Sequence, residues 1–316
     1  MVMADVATSA SANSTQANGL TMRRANKEIG QQIAMLAPAV LLLLAMVILP
    51  FLLSVWFSFT DQRLAPRPIP TKFVGLTNYA RMFADPLFWQ AVWNTALFAA
   101  LVVPFQLAIS LGVALILNSA IPFRAFFRAV AFLPLLLPMT VVVAIWAVLY
   151  RVPNGPFNAV YQLFAGGGYF DFIGTSSTAM LGIVALSAWA TFPYQMLIYL
   201  AGLQDIPTEQ YEAARIDGAN LWQRFRHVTW PGLRNVNIFL LIITTVGALK
   251  LFTQVNILTK GGPNGATTTI IQYLFREGYV SQKVGYASSV AVVFFIVVTA
   301  IALLQRRVLR NEGVGR

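Results

Sequence analysis

The sequence predicts an all-α integral membrane protein with about six transmembrane helices, and three observations carry that reading. Hydrophobic residues make up 58% of the 316 and charged residues only 10%, whereas a soluble domain carries about a quarter charged. With a mean hydropathy of +0.68, too few polar groups remain to cover a water-facing surface, so lipid must be much of the solvent. Six apolar runs recur along the chain, each near the roughly 20 residues that a helix needs to cross about 30 Å of hydrocarbon. Basic residues concentrate in alternate connecting segments, the mark of membrane topology.

The first run, about 33–57, is too long and begins too late for an ordinary cleaved signal peptide and reads as an uncleaved span. The second covers about 92–117, the third 129–150, the fourth 179–203, the fifth 236–258 and the sixth 287–304. Helix follows because a lone apolar segment must satisfy its own backbone groups in lipid. Barrel strands would be shorter and would alternate in polarity. Pro104, Pro134, Pro138 and Pro193 fall inside the runs, which kinked helices lining a cavity tolerate. Trp56 and Tyr150 stand at run ends, where aromatic rings anchor at the membrane interface.

Arg23, Arg24, Lys27, Arg124, Arg128, Arg215, Arg224, Arg226, Arg234, Arg306, Arg307, Arg310 and Arg316 fall on one side. The longer opposite loops carry only Arg63, Arg67, Lys72, Arg81, Arg151, Lys260, Arg276 and Lys283. That bias places both termini in the cytoplasm, and an even number of spans agrees. Residues 1–30 read as a disordered cytoplasmic tail, 31–305 as the transmembrane domain, and 306–316 as a cytoplasmic C-terminal tail.

Several function classes drop out. Cysteine is absent and His227 is the single histidine, which removes thiolate and histidine-rich metal sites and a cysteine nucleophile. The net charge of +11 is explained by topology, so nucleic acid is not an expected partner. No acidic residue lies in a run and no Walker A pattern occurs. The chain is therefore not expected to be an enzyme, to bind a metal or cofactor, or to hold ATP itself. An ion-coupled secondary transporter remains the alternative, though it would normally need intramembrane acids.

The most informative stretch is the polar loop 205–233 between the fourth and fifth runs. Ile206-Pro207-Thr208 offers a break and then an N-cap, with Glu209 and Glu212 near the positive helix end. A short helix then runs to Asp217, Gly218 ends it in a left-handed conformation, and a second helical piece covers about 221–228 before Trp230-Pro231. Glu212-Ala213-Ala214, then Gly218, then Val228-x-Trp230-Pro231 resembles the EAA loop of binding-protein-dependent ABC importer permeases. Val228 and Trp230 stand where that pattern usually has Ile and Leu. Residues 73–98, 190–207 and 258–279 are similar to the sugar-type, maltose-permease-like branch. Lys260 and Thr253 depart there from a common Gly and a frequent Asp. The likeness covers about 30–305.

That resemblance implies a type I ABC importer permease architecture in the bacterial inner membrane. It implies that Glu212, Ala213, Ala214, Arg215, Asp217, Gly218 and Ala219 form a coupling helix docked on an ATP-hydrolysing subunit, where ATP-Mg resides. It further implies a second homologous permease, two copies of the ATP-binding subunit and a periplasmic or extracellular solute-binding protein, all acting at the lipid bilayer. A solvated loop helix in which Glu212 merely pairs with Arg215 is the plainer alternative.

Intramembrane polar groups point to the solute path. Lys250, the one charge well inside a run, either lines that path or snorkels to the outer interface. Ser187, Thr191 and Tyr194 share one face of the fourth helix, and Thr244, Ala248 and Leu251 repeat that spacing on the fifth. In the maltose-like branch these spans contribute the solute site. Trp189 could stack on a sugar ring, and ordinary helix–helix packing is the alternative for each of these residues. Gly261-Gly262-Pro263 predicts a tight external turn that either meets the binding protein or fixes loop geometry.

Overall fold

Long apolar runs become long helices wherever the backbone can keep bonding to itself, and the exceptions here fall at proline and at one charged residue. The computed structural model describes Gln32, residues 35–66 and residues 68–311, with side chains as far as Val308. The expected tail 1–30 and the end of the chain past Asn311 lie outside the described residues, as do Ile33 and Arg67. Five helices among the described residues are long and apolar enough to span a membrane, or six if one sharply bent pair is a single span. The chain divides into two compact units, 1–56 and 57–316. Helix α1 (Met35–Ser58) carries the described part of the first and contains a π-helical turn at Leu44–Ile48.

In the second unit, α2 (Thr77–Ala84) leads to Asp85, whose carboxylate accepts the Leu87 N–H at 2.9 Å and caps α3 (Pro86–Asn118). Pro86 occupies the first turn of α3, where its missing N–H costs nothing. This start signal extends α3 upstream of the apolar run. α3 packs along α7 (Ala179–Gln204). Phe98, Val102 and Val103 of α3 meet Met180, Ile183 and Val184 of α7 in one buried cluster, and Leu111 and Ala114 meet Met196 and Leu200 in another. Pro104 and Pro193 lie inside these two helices, which continue past them.

The third run, expected as one span, is broken instead. It forms α4 (Arg124–Leu136) and α5 (Met139–Leu149), bent by 101°. Pro138 explains the break: it lacks a donor and pushes Leu137 into extended backbone, with φ −90° and ψ 135°. Tyr150, expected as an interface anchor, is buried instead. Its hydroxyl donates to the Gly182 carbonyl at 2.8 Å, and its ring packs with Trp146, Phe157 and Phe172. The loop after α5 holds a further helix, α6 (Pro156–Ala165).

After α7 come α8 (Thr208–Ile216), α9 (Leu221–Arg224), a π-helical turn (Phe225–Thr229) and α10 (Trp230–Gly232). The fifth run is interrupted. α11 (Arg234–Leu249) stops, residues 250–252 form a break, and α12 (Thr253–Leu258) resumes. At the break Lys250 and Leu251 donate to Gly247 and Ala248, three residues back, at 3.1 and 3.2 Å, a tightened last turn. The Thr269 hydroxyl donates to the Leu251 carbonyl at 2.8 Å and so satisfies a freed acceptor. Then follow α13 (Ile270–Phe275) and the long α14 (Val284–Asn311).

A polar cluster ties the start of α3 to α13 and α14. The Tyr273 hydroxyl donates to the Asp85 carboxylate at 2.6 Å, Tyr273 and Tyr286 share a hydrogen bond at 2.7 Å, and Arg81 lies over the Tyr286 ring. Burial alone would raise the Asp85 pKa. Hydrogen bonds from Tyr273, Leu87 and Tyr286, with the Arg81 charge, outweigh it and hold the carboxyl below its ordinary 3.8. A depressed folded pKa gives stability that is complete above the ordinary value and is lost as pH falls through the folded one. Thermal unfolding of the detergent-solubilised protein is therefore expected to lose stability as pH drops below about 4, and Asp85→Asn should flatten that part of the profile. An unchanged acid limb in Asp85→Asn would contradict this assignment.

Candidate functional site

A cavity of about 430 Å³ opens between α3, α4, α7, α11 and α12, within the usual range of small-molecule sites. Seven of the eight residues expected on the solute path line it. Ser187, Thr191 and Tyr194 come from α7, Thr244 and Ala248 from α11, and Lys250 and Leu251 from the break after α11. The eighth, Trp189, is not on the lining. Its ring packs against Trp146 of α5, with centroids 5.8 Å apart.

Three glutamines join the lining: Gln106 of α3, Gln195 of α7 and Gln254 of α12. They were legible in principle, since Gln195 continues the face of Ser187 and Thr191 by one more turn, and an amide inside an apolar run is itself a polar signal. Gln195 is 5% exposed, and its amide donates weakly to the Thr244 hydroxyl at 3.4 Å, linking α7 to α11. The Thr191 hydroxyl donates to the Ser187 carbonyl at 2.6 Å. Ser187 Oγ and Gln195 Oε1 are buried without a protein partner. Phe98, Val102 and Ile243 form the apolar wall. Among the described residues Lys250 is the only charge on the lining. The site offers donors and acceptors for hydroxyls and one cation, but no acid–base pair for bond cleavage.

The loop 205–233 joins the two helices that contribute most polar groups to the cavity. Its helix α8 is capped by Pro207 rather than by the expected Thr208, which is the first helical residue, and no side chain caps it. Gly218 has φ +77°. Its N–H donates to Arg215 and that of Ala219 to Ala214, at 3.0 and 2.9 Å, forming a Schellman ending. Asn220 and Gln223 form a capping box that starts α9. Glu212, Ala213, Arg215, Asp217 and Gly218 are exposed, and Ala214 and Ala219 are half-buried. Among the described residues Glu212 forms no ion pair with Arg215. Ile216 (86% exposed) and Leu221 (79%) stand as apolar side chains beside them.

The base of this loop is clamped. Gly202 of α7 allows Val236 of α11 to approach; a Cβ there would lie 2.6 Å from the Val236 Cγ2. Ile206 packs onto Gly232, and the Tyr211 hydroxyl bonds that of Thr229 at 3.0 Å. The turn around Gly261-Gly262-Pro263 is likewise tied into the fold. Thr267 and Thr268 hydroxyls donate to Gly262 and Gly261, and Asn94 of α3 donates to the Gly265 and Thr268 carbonyls at 2.8 and 3.0 Å.

The family model described as "Binding-protein-dependent transport system inner membrane component" matches residues 106–311. The Thermococcus litoralis trehalose/maltose transport system permease protein MalF is 33% identical over 92% of this chain and 97% of its own. The Agrobacterium fabrum sulfoquinovosyl glycerol transport system permease protein SmoG is 33% identical over 89% of this chain and 90% of its own. A crystal structure of a bacterial ABC transporter involved in import of the acidic polysaccharide alginate superposes with a TM-score of 0.80 at 20% identity. It covers 92% of this chain and 98% of that one, a likeness of fold.

Proposed function

The chain belongs to the binding-protein-dependent transport system inner membrane components, and from that premise we propose that its cavity carries a sugar or sugar derivative and that the loop 205–233 delivers the driving force. It is a multi-pass inner-membrane permease subunit of an ABC importer. One observation carries the proposal: α7 and α11 both line the cavity and both terminate in the same clamped loop. From Ser187 to Gln204, α7 is a lever of about 25 Å. Gly202, Ile206 and Gly232 hold its foot to that of α11, so a push on α8 moves both cavity walls together.

In this reading the loop and both termini face the cytoplasm. Glu212 to Ala219 form the helix that docks on an ATPase subunit, and small Ala213 and Ala214 permit close approach. Exposed Ile216 and Leu221 give the partner an apolar contact. The partners are two ATP-binding subunits holding ATP-Mg, a second homologous permease and an external solute-binding protein. Hydroxyls of the solute meet Ser187, Thr191, Tyr194, Gln195 and Thr244, while Leu251 and Ala248 pack beneath. The relatives named for trehalose, maltose and sulfoquinovosyl glycerol support a saccharide.

The test is uptake by the complete importer in liposomes. Accumulation is expected only with ATP, the ATPase subunits and the binding protein together. Accumulation driven by a proton or sodium gradient without the ATPase would overturn the proposal.

A further inference from the structure

We propose that the solute is a monoanionic sugar derivative and that Lys250 binds its acid group; this rests on reading the cavity as the solute path. Lys250 lies deep in the fifth apolar run, where an ionisable side chain is expensive to keep. Among the described residues no Asp or Glu lines the cavity, and the Lys250 side chain makes no ion pair or hydrogen bond. Lys250 is exposed and is one of the residues that line the cavity.

α11 ends at Leu249, so Lys250 follows directly on the last turn of that helix. Phe98, Val102 and Ile243 make part of the same lining apolar, and apolar surroundings strengthen attraction between an ammonium and an anion. A neutral sugar needs only the amides and hydroxyls that already surround it at Gln195, Gln254 and Thr244. The cation adds nothing for such a ligand that another amide would not. A carboxylate or sulfonate balances one ammonium, whereas a phosphate monoester at neutral pH carries close to a second, uncompensated charge.

The experiment uses the complete importer in liposomes with a panel of matched probes: glucose, glucuronate, 6-deoxy-6-sulfoglucose and glucose 6-phosphate, then cellobiose and its uronic acid counterpart. ATP-dependent uptake is expected to be fastest for a carboxylate or sulfonate member, and which of the two leads identifies the acid. Lys250→Met should raise the half-saturation concentration for that probe about tenfold or more, the loss of one charge-assisted bond, and Lys250→Arg should restore most of it. Copurification with the ATPase subunits checks that each variant has assembled, and the wild-type preference across the panel stands without any variant. Fastest uptake of a neutral probe or of the phosphate, or acid uptake indifferent to Lys250→Met, would overturn the inference and leave the permease reading intact. Failure of ATP to drive uptake of any probe would instead overturn the saccharide reading of the cavity, and this inference with it.

Discussion

Replacing Gly218 with valine is expected to cut ATP-dependent uptake about tenfold or more while the protein still reaches the membrane in near-normal amount. Gly218 holds φ +77°, and no atom lies within 4 Å of where a Cβ would sit. The effect is therefore backbone strain and not a clash. A left-handed conformation costs an L-residue about 1–2 kcal/mol. The chain can relieve this by rotating Gly218 into an ordinary region, which breaks the Ala219-to-Ala214 bond and swings the Asn220 cap of α9 away from α8. No α8 residue belongs to the buried core, so insertion is spared and force transfer is lost. Gly218→Asn should fall between the two, because asparagine tolerates the left-handed region. The readout is uptake and ATP hydrolysis per inserted importer. Normal uptake in Gly218→Val would defeat the coupling role of this loop.

Asn94→Leu is expected to have the largest effect on stability. Asn94 is 5% exposed, and its amide donates to both the Gly265 and Thr268 carbonyls, holding the Gly-Gly-Pro turn against α3. Leucine of similar size leaves the buried Thr268 carbonyl without the Asn94 donor, at a cost of about 1–3 kcal/mol, while the Gly265 carbonyl keeps the Thr268 N–H. The thermal midpoint in detergent should fall by about 2 °C or more. Gln90→Ala is the control, since Gln90 donates one exposed bond to Asn264 at 3.3 Å and its loss should be close to neutral.

Helix positions were legible because hydrocarbon imposes one length and one hydrogen-bonding solution, so apolar runs alone located α7 to within a residue and the middles of α3, α11 and α14, though not their ends. The break at Leu137-Pro138 was only half legible. Proline was visible, but whether a helix bends or snaps depends on what packs beside it. The interruption at residues 250–252 has no proline to announce it, and it is stabilised from a distance by the Thr269 hydroxyl, which a local reading of sequence does not reach. Tyr150 misled for a related reason: a tyrosine at a run's end suits an interface or a buried carbonyl equally, and Gly182 supplied the carbonyl. At the cavity, period 3.6 gathered Ser187, Thr191 and Tyr194 without tertiary information. Trp189 is two residues from Ser187 and Thr191 and so turns to a different face. Gln106 and Gln254 were passed over, although an amide inside an apolar run is a polar signal even without charge.

Asp85 has a consequence beyond acid stability. One of its oxygens caps α3, while the other receives the Tyr273 hydroxyl. A single carboxylate thus fastens two joints at once, and sliding α13 past α3 would disturb the group that also secures the first turn of α3. In the proposed mechanism the end of α3 remote from the 205–233 loop would be the fixed point against which the loop end is displaced.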